Sequence, residues 1–102
     1  MQILTSVDGD RAIITVEGKL TVTTSPELEA VVQQLEESGS YAGYDIDLSG
    51  LEYISSAGLR VLVATQKVVN GRGGSVRLLR PSESVMEVLE MTGLADVMTI
   101  EG

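Results

Sequence analysis

Apolar positions along the chain fall into strand-like and helix-like stretches. Ile3 to Val7 and Ala12 to Val16 are rich in β-branched residues and flank Asp8-Gly9-Asp10. They predict two strands joined by a hairpin. Gly18 is expected to end the second strand, and Leu20 to Thr24 lead into a helix. Thr24 or Ser25 is the candidate N-cap, with Pro26 at the first helical position and Glu27 and Glu29 following. Leu28, Val31, Val32 and Leu35 recur at the i, i+3, i+4, i+7 spacing of one helical face, and Gly39 stops the run.

Tyr44, Ile46 and Leu48 then alternate with Asp45 and Asp47, which predicts a third strand, followed by a short exposed loop. A second helix is expected from about Ser56 to Val69, closing at Asn70-Gly71. Its apolar residues leave only a narrow polar face with Arg60, Gln66 and Lys67, so it should pack on the sheet and against a neighbouring helix. Ser75 to Leu79 predicts a fourth strand, and Pro81 opens a third helix over Ser82 to Met91, with Val85, Met86, Val88 and Leu89 inward. Gly93 ends that helix, and Val97 to Ile100 fits a short last strand. The order predicts one α/β domain over residues 1–102. It has a mixed four- to five-stranded sheet with about three helices, right-handed crossovers and an antiparallel pair at the start.

Composition narrows the function. Apolar residues make up 43% of the 102 positions, enough for a core, and that core must be aliphatic because three tyrosines are the only aromatics. A net charge of −8 opposes contact with nucleic acid or an anionic membrane surface, and base-stacking side chains are scarce. With no cysteine and no histidine there is no disulfide framework, no Ser-His-Asp triad and no usual zinc ligand set. No apolar run approaches the roughly 20 residues of a membrane span. Met1-Gln2-Ile3-Leu4 meets Asp8 and Asp10 too soon for a signal peptide, so a cytoplasmic protein is expected.

Catalytic readings find little support. Asp45 and Asp47 lie two apart on one strand, as at the start of a haloacid-dehalogenase-type phosphatase, and such a pair can chelate Mg²⁺. That chemistry needs a lysine and further acids in a larger chain. A local role is preferred, with Asp47 holding the following loop and Asp45 solvated. Gly71-Arg72-Gly73-Gly74 lacks the Gly-Lys-Ser/Thr ending of a phosphate loop and reads as a turn. Ser56 and Lys67 are too loosely related to form a hydrolase dyad. No enzyme, cofactor or metal is implied.

Two serines at the mouth of the second helix carry the remaining signal. The first turn after Ser55-Ser56 holds Ala57, Gly58 and Leu59, with no acid against the helix dipole. Either serine can cap the helix, for about 1 kcal/mol, or accept a phosphate that the exposed N–H groups would favour. Gly58 costs up to about 1 kcal/mol of helix propensity relative to Ala. A site approached by another protein would tolerate that cost. The residues alone leave both readings open.

Asp47-Leu48-Ser49 followed by Ser55-Ser56-Ala57-Gly58-Leu59 resembles the signature of the STAS-domain, anti-sigma-factor antagonist family. Gly18-Lys19-Leu20-Thr21, Gly73-Gly74 and Met91-Thr92-Gly93-Leu94 match its other motifs in order, over nearly the whole chain. The resemblance implies an α/β STAS fold and a partner-switching function. An unphosphorylated antagonist binds an anti-sigma factor that is also a serine kinase, phosphorylation breaks the complex, and a serine phosphatase restores it. By position the phosphorylated residue is Ser56. Ser55 occupies the family's aspartate position and is a second candidate; Thr21 stands where the other motif aspartate is expected. The docking surface implied comprises Thr21, Thr23, Thr24, Ser55, Ser56, Ala57, Gly58 and Arg60. The alternative is a STAS scaffold or small-ligand module that is never phosphorylated, which the missing aspartates favour.

Overall fold

The computed structural model describes residues 1–102. The chain runs through β1 (Gln2–Asp8), β2 (Arg11–Leu20), α1 (Ser25–Ser38), β3 (Gly43–Asp47), β4 (Leu51–Ile54) and α2 (Ser56–Gly71). It continues through β5 (Ser75–Leu79), α3 (Glu83–Met91), a 3₁₀ turn (Leu94–Asp96) and β6 (Thr99–Glu101). The mixed sheet with three packed helices is the architecture expected from the sequence, with six strands rather than four or five. The order is β1-β2-β3-β5-β6, with β1 antiparallel to β2 and the remaining pairs parallel.

The extra strand, β4, places the site. β2 is twice the length of β3, so its first half pairs with β3 and its last residues pair in parallel with β4. Gly18 therefore does not end β2. It adopts φ +101° at a register shift, a conformation that suits glycine, and the strand continues through Lys19 and Leu20. The sequence predicts a loop where β4 lies, because Leu51-Glu52-Tyr53-Ile54 buries only its two ends, a pattern without strand alternation. Its backbone is held by the start of α3, where the hydroxyl of the N-cap residue Ser82 donates to the Leu51 carbonyl at 2.7 Å and that of Ser84 to the Glu52 carbonyl at 3.1 Å.

One face of the sheet carries the core. Ala12, Ile14 and Val16 of β2, Tyr44 and Ile46 of β3, and Val76 and Leu78 of β5 are buried there with Leu28 and Val32 of α1, Leu59, Leu62 and Val69 of α2, and Val85 and Leu89 of α3. Val31 and Leu35 complete the predicted α1 stripe as partly buried neighbours. Tyr44 reaches out of this core to donate its hydroxyl proton to Glu36, whose carboxylate also binds Arg72 at 2.8 Å; Arg72 donates as well to the Tyr41 carbonyl at 2.7 Å. The Arg72 hydrogen bond holds the Glu36 carboxyl below its ordinary range despite burial, while burial and Glu36 push Tyr44 well above the usual phenol range.

Alternation sends the intervening side chains to the opposite face. Asp45, expected to be solvated, is buried there. Arg77 Nε and Nη2 donate to its two carboxylate oxygens at 2.7 and 2.6 Å, and Arg11 Nε donates at 2.8 Å. The strand direction of Asp45 was readable, but the two guanidiniums arrive from β2 and β5 and only pairing brings them together. Both acceptor oxygens are engaged by arginine, which answers the Mg²⁺ reading of this carboxylate with a structural role.

Candidate functional site

The two serines at the start of α2 do different things. Ser55 is the N-cap: its backbone is extended, and its hydroxyl accepts the N–H of Gly58 at 3.2 Å. Its own N–H donates to the Leu20 carbonyl at 2.8 Å, which ties the helix start to the end of β2. Ser56 is the first helical residue and is exposed, and its hydroxyl makes no hydrogen bond within the chain. The first turn carries no acidic residue. A cap and a free hydroxyl thus stand side by side: Ser55 caps the helix, and Ser56 is left exposed and unbonded.

Thr21 to Thr24 form the neighbouring edge. The Thr24 hydroxyl accepts the Thr21 N–H at 2.8 Å and donates to the Lys19 carbonyl at 2.8 Å, while the Thr21 hydroxyl accepts the Thr24 N–H at 3.2 Å. Ser25 closes the turn by donating its hydroxyl proton to the Thr21 carbonyl. Thr24 therefore begins α1 without a side-chain cap, because its oxygen already serves the turn. Thr23 remains exposed, and so does Val22, at 73% of its surface. This lone aliphatic in a threonine-rich turn was legible in the sequence but not singled out.

A shallow groove joins the two edges. Val22, Ser25 and Pro26 line one side, and Ala57, Arg60 and Val61 the other, with Glu29 and Ala64 further along. Glu29, Val61 and Ala64 also border a second groove of about 280 Å³ between α1 and α2, which continues to Val68. Of the residues expected to meet a partner, Thr23, Ser56 and Arg60 are exposed and Thr21, Thr24, Ser55 and Ala57 half-buried. Gly58 is the exception. It is buried, and a Cβ there would come within 2.8 Å of Leu20 Cγ and Cδ2 and 2.9 Å of Ile54 Cγ1. The glycine lets α2 approach β2 and β4; its smallness serves packing rather than access from outside.

Asp47 supports the loop before β4. Burial raises its proton affinity, but the Ser49 N–H, bound at 3.0 Å, and the neighbouring Ser49 and Arg80 side chains outweigh that and keep the carboxyl below its ordinary range. This is the local role expected for Asp47.

The STAS domain family model matches residues 2–102. The chain belongs to the STAS domain family. Among its relatives, an anti-sigma-B factor antagonist of Staphylococcus aureus is 33% identical over 87 residues, covering 85% of this chain and 80% of the relative. That of Staphylococcus epidermidis is 32% identical over the same length and coverage. A Thermotoga maritima crystal structure, of a candidate anti-sigma factor antagonist, superposes with a TM-score of 0.90 at 26% identity, covering 98% of this chain and 86% of that one. The family resemblance read from the serine motif thus extends over the whole STAS fold described above.

Proposed function

We propose that this STAS domain is an anti-sigma factor antagonist that works by binding rather than by catalysis. Its partner is an anti-sigma factor with serine kinase activity, and phosphorylation of Ser56 switches the contact off. The reading rests above all on the exposed Ser56 hydroxyl, free of intrachain bonds beside the capping Ser55. The names of the staphylococcal relatives support the partner class. The docking surface runs from Thr21 and Thr23 across Ser56 and Ala57 to Arg60, with Thr24 and Ser55 shaping it from beneath.

In the modifying step the kinase transfers the γ-phosphoryl group of ATP to Ser56 Oγ. The new O–P bond replaces the bond to ADP, which leaves, and the hydroxyl proton passes to a base on the kinase. Hydrolysis of the ester by a serine phosphatase regenerates the antagonist. No helix is long and apolar enough to cross a membrane, in keeping with action in the cytoplasm beside the sigma factor. The net charge of −8 favours a basic partner surface over nucleic acid.

Incubation with ATP and the cognate anti-sigma kinase, followed by intact mass measurement, tests this reading. A gain of one phosphate that Ser56→Ala abolishes supports it. Binding to the anti-sigma factor with no phosphate gained would favour the second reading, a scaffold or ligand-binding STAS module. The apolar groove between α1 and α2, lined by Val32, Val61, Ala64 and Val68, is the feature that speaks for that alternative.

A further inference from the structure

Arg60 lies one helical turn beyond Ser56 on α2, and side chains four apart on a helix stand roughly 5–6 Å apart at Cβ. Four of the five arginines, Arg11, Arg72, Arg77 and Arg80, each hold a carboxylate in an ion pair. Arg60 holds none, although the chain carries fifteen acidic side chains. Glu29 borders the same groove from α1 without forming an ion pair to it, and the first turn of α2 has no acid of its own. Arg60 is exposed, so its guanidinium is free to turn along the helix surface.

We propose that Arg60 captures the phosphate of phosphorylated Ser56 within the same chain. The inference rests on the reading of Ser56 as the modified residue and adds how the modification is read out. An anion N-terminal to a cation at i, i+4 is the favourable orientation on a helix, and the guanidinium fork matches two phosphate oxygens. Phosphorylation then acts twice on one surface. It adds about −1.5 to −2 charges, and it draws the single unpaired arginine away from any carboxylate a partner offers.

The neighbouring cations provide the controls. Lys19 is the last residue but one of β2, next to Leu20, whose carbonyl binds the Ser55 N–H, and is likewise unpaired. Lys67 lies on α2 about 16 Å along the axis from Ser56 at 1.5 Å per residue, roughly two Debye lengths at physiological salt.

Genetically encoded phosphoserine at position 56 of the full chain, titrated by ³¹P NMR, tests the pair without requiring a kinase. An adjacent cation favours the dianion, so the midpoint of the second phosphate ionisation should rise in Arg60→Gln by about 0.3 pH unit or more. Arg60→Lys should restore part of the shift, and Lys19→Gln and Lys67→Gln should leave the midpoint in place. An unchanged midpoint in Arg60→Gln, or an equal shift in Lys19→Gln, overturns the proposal. A kinase that leaves Ser56 unmodified would instead sink the switch, an outcome read separately by mass.

Discussion

The hydroxyl of Ser55 accepts the backbone N–H of Gly58 at 3.2 Å, so the first of the two serines is the N-cap of α2. An aspartate there would make the same bond with a full negative charge. Ser55 supplies the cap without the charge. Replacing a serine cap with alanine costs about 0.5–2 kcal/mol. Ser55→Ala should therefore lower the thermal midpoint by several degrees, at about 4–8 °C per kcal/mol for a domain of this size. Ser55→Asp should at least retain stability, since the helix dipole favours an anion at this end. Thermal denaturation by circular dichroism checks both. Phosphate uptake by Ser55→Ala, measured by intact mass, should match wild type, because the proposed acceptor is its neighbour.

Gly58 sits under the same cap and tests what the close approach of α2 is worth. Alanine would gain up to about 1 kcal/mol of helix propensity. Its methyl would meet Leu20 Cγ and Cδ2 at 2.8 Å and Ile54 Cγ1 at 2.9 Å, and both side chains are buried. Overpacking of this kind costs about 1–3 kcal/mol. Gly58→Ala should be destabilising on balance, with a lower urea midpoint and an unchanged m-value. A midpoint above wild type would mean that the glycine is not there for packing.

Local patterns made most of this fold readable, and the exceptions have a common cause. The α1 stripe from Leu28 to Leu35, the Ser75–Leu79 strand and the start of α2 follow from periodicity and capping within a few residues. β4 does not, because four residues with exposed Glu52 and Tyr53 in the middle become a strand only through pairing with the far end of β2 and with Ser82 and Ser84 at the start of α3. Asp45 is the same lesson in side chains. Alternation set its face, but its partners Arg11 and Arg77 lie 34 and 32 residues away. At the site, the motif pointed to the serine pair, and only the helix geometry separated the cap from the free hydroxyl. The burial of Gly58 against Leu20 is hidden for the reason that hides β4: the sequence pattern ends β2 at Gly18, and the structure continues it to Leu20.

Asp45 makes the stability of the fold depend on acid. The hydrogen bond from Arg77, opposed by burial and joined by Arg11, holds its carboxyl below the ordinary value of 3.8. A carboxylate with a folded pKa below its unfolded one contributes stability that is complete above the unfolded value, about 4, and is lost as pH falls through the folded value. Glu36 and Asp47 are also depressed and act in the same window. Urea midpoints should therefore be flat from pH 7 to about 5 and drop below pH 4. Asp45→Asn should be less stable at pH 7, with a shallower fall in acid. A fall as steep as that of wild type would show that the Arg11–Asp45–Arg77 cluster is not a source of the acid sensitivity.

Ser56 predicts the opposite combination, a change in binding with little change in stability. Its hydroxyl is exposed and makes no bond within the chain, so Ser56→Ala should stay within about 0.5 kcal/mol of wild type. Ser56→Asp places an anion at the start of α2, where the dipole tolerates it, and should melt at or slightly above the wild-type temperature. At the proposed interface that charge must be desolvated against a surface suited to a neutral hydroxyl. A poorly paired charge there costs about 2–5 kcal/mol, which at 1.4 kcal/mol per decade is roughly 30-fold to several thousandfold in affinity. Isothermal titration with the anti-sigma factor should give Ser56→Ala an affinity near that of wild type and Ser56→Asp a much weaker one. Equal affinities would place Ser56 outside the contact and end the switch mechanism, whatever phosphate the kinase delivers.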